Sequence, residues 1–66
     1  MKKYKAFCLQ NRTYFATGEN KPKRECMEDI WEYLMTDNEE DINISGWSDD
    51  KLEDEINAFE VEIEEV

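Results

Sequence analysis

Two thiols, eighteen carboxylates and no imidazole set the chemistry open to this 66-residue chain. Without His it has no side chain whose ordinary pKa suits proton transfer near neutral pH. Cys8 lies between Phe7 and Leu9, and Cys26 falls on the apolar side of a helical pattern, so both read as small buried hydrophobes. Proximity to a helix start and to Lys23 and Arg24 gives Cys26 one route to reactivity, and a redox role stays open on that basis. Two distant thiols cannot close a zinc site, and Gly18 and Gly46 alone cannot build a phosphate loop. Asp37, Glu39, Asp41 and Asn43 alternate as calcium-loop ligands do. The sixth position of such a loop is here Ile42 instead of Gly, however, and the twelfth is Ser48 instead of Glu, which points to weak, nonspecific cation binding only. The expectation is a protein that is not an enzyme and takes no cofactor or metal.

The carboxylates fall into three groups that could act as a binding surface. Glu25, Glu28, Asp29 and Glu32 share one side of the first helical pattern. Asp49, Asp50, Glu53, Asp54 and Glu55 crowd the second. Glu60, Glu62 and Glu64 alternate along a terminal strand pattern, as rungs about 6.6 Å apart. Ordered carboxylates at such spacings can imitate a phosphate backbone, because basic grooves read charge and position before they read bases. Trp47 adds an aromatic anchor to this surface if exposed, and Trp31 would do the same. The contrasting interpretation gives these charges to solubility and to internal pairing.

Charge and length limit the alternatives. Eight Lys and Arg against eighteen Asp and Glu leave a formal net charge of −10, which argues against direct nucleic-acid binding. The charge is polarised along the chain: residues 1–24 carry seven cations and Glu19, and residues 25–66 carry seventeen acids and Lys51. A chain this short forms one domain, residues 1–66, and buries only about 60% of its unfolded surface. Two cysteines are too few for a disulfide scaffold, although a Cys8–Cys26 bridge stays open. The start Met1-Lys2-Lys3-Tyr4-Lys5 leads into no signal-peptide core. No apolar run approaches the roughly 18 residues of a membrane span. The expected location is the cytoplasm, with no membrane partner.

The elements that must position these groups follow from periodicity. Lys3–Leu9 and Thr13–Thr17 read as two strands joined by a turn at Gln10-Asn11, reaching to Arg12. Pro22 suits the first turn of a helix. From Lys23 to Thr36 the period becomes 3.6, with Cys26, Met27, Ile30, Trp31 and Leu34 on one face and Tyr33 at its edge. Asp37–Asp41 reads as a loop, with Ile42 and Ile44 tacking it to the core. Ser48 reads as the N-cap of a second helix, with Trp47 and Leu52 spaced as a hydrophobic staple and Leu52, Ile56 and Phe59 sharing a face. Phe59, Val61 and Ile63 then alternate with glutamates, which predicts a half-buried strand. The sum is an α+β fold of order β-β-α-α-β: a three-stranded, mainly antiparallel sheet with helices on one face and the last strand beside the first. That pairing is expected to place Glu60 and Glu62 near Lys3 and Lys5.

The lysine-led first strand (Lys2-Lys3-Tyr4-Lys5), the hairpin, the acidic amphipathic helix and the glutamate-rich end (Phe59-Glu60-Val61-Glu62-Ile63-Glu64-Glu65-Val66) resemble the small phage- and plasmid-borne DpnD/PcfM-like proteins. The segment Asp37–Asn57, with its second helix, departs from their simpler layout. The resemblance implies a viral or mobile-element origin and assigns no site residues. The expected function is a small acidic accessory protein that binds a basic surface of a host or partner protein, with nucleic-acid mimicry or inhibition as its mode. The alternative is a domain that self-associates as a homo-oligomer through its sheet edge or helix rim.

Overall fold

A computed structural model describes residues 2–36 and 43–66. Among these residues five elements run in the order β1 (Tyr4–Cys8), β2 (Thr13–Tyr14), α1 (Lys23–Leu34), α2 (Asp49–Asn57) and β3 (Val61–Glu65). The strands form one antiparallel sheet of order β2-β1-β3, so the last strand does lie beside the first. The expected loop at Asp37–Asp41, the attachment at Ile42 and most of the calcium-like alternation lie outside the described residues.

Strand alternation separates the two faces of the sheet. Tyr4, Ala6 and Cys8 share one face with their partners Glu65, Ile63 and Val61. Ala6 and Val61 join Cys26, Met27, Ile30, Trp31, Leu52 and Ile56 in the buried core, so both helices cover this face. Helix α1 buries Cys26, Met27, Ile30 and Trp31, the stripe its 3.6-residue period predicts. Helix α2 buries only Leu52 and Ile56. Ser48 caps α2 as expected, its hydroxyl accepting the Lys51 N–H at 3.1 Å, with Asp49 and Asp50 in the first turn.

Several boundaries shift from the sequence reading. Strand β2 is two residues long instead of five: Phe15 N–H still bonds the Ala6 carbonyl at 2.9 Å, but the pairing ends there, where the Phe15 ring meets that of Tyr33 edge-on at 5.5 Å. Pro22, at φ −54° and ψ 153°, is the N-cap of α1 and not a residue of its first turn, since its extended ψ starts the helix one residue later. The link before it needs Gly18 at φ +77°, where an added Cβ would lie 3.0 Å from the Cys26 carbonyl oxygen. Phe59 and Glu60 belong to a turn, not to β3. Helix α2 ends in successive turns, with Phe59 N–H on the Ile56 carbonyl and Glu60 N–H on that of Asn57, and Glu60 adopts φ +62°. Phe59 is therefore 44% exposed, instead of sharing the buried face of Leu52 and Ile56.

Candidate functional site

The acidic stripe of α1 divides into paired and unpaired carboxylates. Residues Glu25 and Glu32 are exposed and, among the described residues, have no ion-pair or side-chain hydrogen-bond partner. Asp29 is half-buried and pairs with Lys21, whose ammonium that hydrogen bond and charge hold above its ordinary range. Glu28 accepts from Arg24 Nε at 3.1 Å across one helical turn.

Arg24 is the hub that joins α1 to the chain leading into α2. Its guanidinium donates to the carbonyls of Ile44 at 2.9 Å and Trp47 at 2.8 Å, and to Asp49 Oδ1 at 3.1 Å, besides Glu28. A planar fork with five N–H groups can serve four acceptors in this way, and an ammonium cannot. No local pattern marks it, because three of the four partners lie 20 to 25 residues away. Arg24→Ala is expected to lower the melting temperature by roughly 5–10 °C, since two carbonyls lose their donors, and Arg24→Lys to recover little of it. A circular-dichroism melt checks this, and a midpoint within about 2 °C of wild type would remove Arg24 from the structural account.

The α2 cluster shows the same division. Asp49 is held by Arg24, and Glu53 accepts from Lys23 at 3.0 Å, which raises the lysine's pKa. Asp50 and Asp54 are exposed and have no ion-pair partner among the described residues. Asp50, Glu53, Asp54 and Asn57 recur at three- and four-residue steps and so share one flank of the helix. Trp47 is half-buried and already engaged: it meets the Trp31 ring edge-on at 5.3 Å, and the Lys51 ammonium lies 4.8 Å from its ring centre. Trp31, 6% exposed, belongs to the core. The large apolar groups that reach the surface are instead Tyr14, Tyr33, Phe59, Leu9 and Val66.

The glutamate ladder also changes. Glu60 leaves it for the turn, and its carbonyl accepts Leu9 N–H at 2.9 Å, at the far end of the sheet from Lys3. The antiparallel register sets Glu64 opposite Lys5 and Glu62 opposite Phe7, instead of Glu60 and Glu62 near Lys3 and Lys5. Glu64 further accepts from the Tyr14 hydroxyl at 3.3 Å, while Lys5 lies 4.0 Å from the Tyr14 ring centre and Phe7 meets that ring edge-on at 4.8 Å. The helix-free face of the sheet thus carries an aromatic patch crossed by one Lys–Glu pairing, with exposed Glu62 beside it.

Both cysteines are free, Cys26 buried and Cys8 half-buried. Burial, reinforced by the Asp29 charge, pushes the Cys26 thiol above its ordinary pKa despite Lys21 nearby. The lysine and arginine that sequence placed beside it turn to Glu53, and to Glu28, Asp49 and two carbonyls. Iodoacetamide is expected to alkylate Cys26 in folded protein at least about 100-fold more slowly than in urea, by mass spectrometry. Equal rates would restore it as a reactive thiol. Among the described residues no three Cys, Asp or Glu side chains converge as metal ligands, and Asn43, the described member of the calcium-like series, accepts Ser45 N–H at 3.0 Å. No described helix is long and apolar enough to cross a membrane.

Comparison of the chain with protein-family models, with curated proteins and with solved structures gave no match.

Proposed function

We propose that this chain is a non-enzymatic acidic accessory protein that docks on a basic surface of a partner protein, occupying it as a nucleic-acid mimic would. One observation carries the reading. Four of the seven cations of residues 1–24 are engaged within the fold, with Lys21 on Asp29, Lys23 on Glu53, Arg24 on Glu28 and Asp49, and Lys5 against Tyr14, while Lys2, Lys3 and Arg12 are exposed. Glu25, Glu32, Asp50, Asp54 and Glu62 stay exposed without such partners among the described residues. Each ion pair removes one charge of either sign, so internal pairing leaves the formal excess of ten acids unchanged. An uncompensated field of one sign speeds encounter with an oppositely charged site. The raised Cys26 pKa and the absence of His support a role without catalysis. The resemblance to DpnD/PcfM-like proteins leads us to propose a phage or plasmid origin and action in the host cytoplasm.

Self-association is the second reading, and the free side of β3 is what favours it. Pairing β3 with itself would set glutamates against glutamates, which disfavours it.

Capture on tagged protein from host lysate, washed in rising salt, tests the main reading. A basic protein retained at about 50 mM salt and released by about 200 mM is expected. Nothing retained at the lowest salt would overturn it.

A further inference from the structure

The hydrogen-bonding phase of β3 leaves one side of the strand open. Leu9 N–H donates to the Glu60 carbonyl at 2.9 Å and Val66 N–H to the Lys3 carbonyl at 2.8 Å. With Lys5 opposite Glu64 and Phe7 opposite Glu62, these contacts fix the even-numbered residues of β3 as the ones that bond to β1. The alternate residues of β1 confirm the phase, because Tyr4 and Ala6 exchange bonds on the opposite side with Lys21, Asn20 and Phe15. Val61, Ile63 and Glu65 therefore direct their N–H and C=O groups away from the sheet, where no described residue pairs with them. An open hollow of about 460 Å³ runs along this side, with Val61, Ile63 and Leu9 giving it an apolar wall and Glu53 and Asn57 of α2 a polar rim.

We propose that the outer side of β3 accepts, as a fourth and antiparallel strand, an extended basic segment of the partner protein that alternates Lys or Arg with aliphatic residues. This rests on the reading above that the partner is basic, and it specifies the site and the mode. Antiparallel pairing is the more stable arrangement per residue, and main-chain bonds from an added strand supply affinity while alternate side chains supply specificity. The alternation follows from the two faces of β3. Residues beside Val61 and Ile63 point into the hollow beneath α2 and must be apolar. Residues beside Glu62 and Glu64 lie on the helix-free face, where Glu62 has no ion-pair partner among the described residues, and must be cationic. Charge also decides against a second copy as the occupant, since three of the five residues of β3 are glutamates.

The probe is a fluorescein-labelled peptide of four lysines alternating with three valines, titrated by anisotropy at low salt and followed by amide hydrogen exchange. Binding is expected, with exchange at Val61, Ile63 and Glu65 slowed at least tenfold. Methylating the valine amides, which face β3 in this arrangement, is expected to weaken binding at least tenfold, and methylating the lysine amides, which face away, to leave it unchanged. Glu65→Pro removes one outward N–H while keeping the bonds to β1, and is expected to weaken binding at least threefold with an unchanged circular-dichroism spectrum. If the valine-methylated peptide binds as well as its parent, the contact is acidity alone: the edge is overturned and the basic-partner reading stands. If the parent fails to bind while a basic protein is retained in the capture experiment, the edge alone falls. If both fail, both fall. A dimer of the free protein that protects the same three amides would overturn the proposal in favour of a second copy.

Discussion

Replacing Ile56 with alanine is expected to lower stability by about 2–5 kcal/mol and the melting temperature by at least about 10 °C. Ile56 is fully buried and packs in the cluster shared by Leu52, Val61 and α1. Helix α2 has only nine residues, too few to persist alone in water, and Leu52 and Ile56 are the two it buries in the core, beside the ion pairs of Asp49 with Arg24 and Glu53 with Lys23. Truncating one of them leaves a cavity and loosens the helix that carries Asp50 and Asp54. For 66 residues a loss of this size approaches the whole stability of the fold, roughly 3–10 kcal/mol at usual values per residue. Urea unfolding followed by the fluorescence of Trp31 and Trp47 measures it. Asp54→Ala, at an exposed and unpaired position, is expected to stay within about 0.5 kcal/mol of wild type. A change below that level for Ile56→Ala would show that α2 is not held as described.

Removing the unpaired acids is expected to weaken partner binding at least about 100-fold without unfolding the protein. The variant combines Glu25→Gln and Asp50→Asn, which spare the helix starts a new cation, with Glu32→Lys and Asp54→Lys. It moves the formal net charge from −10 to −4, two neutralisations and two reversals adding six. At about 1 kcal/mol for each lost charge contact, and 1.4 kcal/mol per decade of affinity, four contacts account for two or more decades. Glu28 and Asp49 are left in place because Arg24 holds them, and changing them would confound binding with stability. Affinity within threefold of wild type would mean that the partner reads something other than this field.

Much of the fold can be read from local pattern, and the exceptions share a cause. Helix α1 is legible because Cys26, Met27, Ile30 and Trp31 repeat at 3.6 residues, and α2 because Ser48 precedes two aspartates at its start. The order β2-β1-β3 follows from alternating strands that need one covered face. What sequence could not supply is set by neighbours distant in the chain. Glu60 continues the alternation of β3, yet the close of α2 requires a left-handed residue there, so the ladder loses its first rung. Ala16 and Thr17 continue the pattern of β2, yet the pairing ends at the Phe15 N–H bond to Ala6, where the Phe15 ring packs on Tyr33. Which carboxylates stay unpaired depends on Lys21, Lys23 and Arg24 reaching particular acids, and helical spacing treats Glu28 and Glu32 alike. Trp47 looks like a surface anchor only until Trp31 and Lys51 are placed against it.

The most direct test of an acidic docking protein is the association rate of the purified pair as a function of salt. An encounter guided by the unpaired carboxylates predicts a rate constant that falls at least about tenfold between 20 and 200 mM salt, while the dissociation rate changes much less. An association rate that stays flat over that range, in wild type and in the charge-depleted variant alike, would contradict the account.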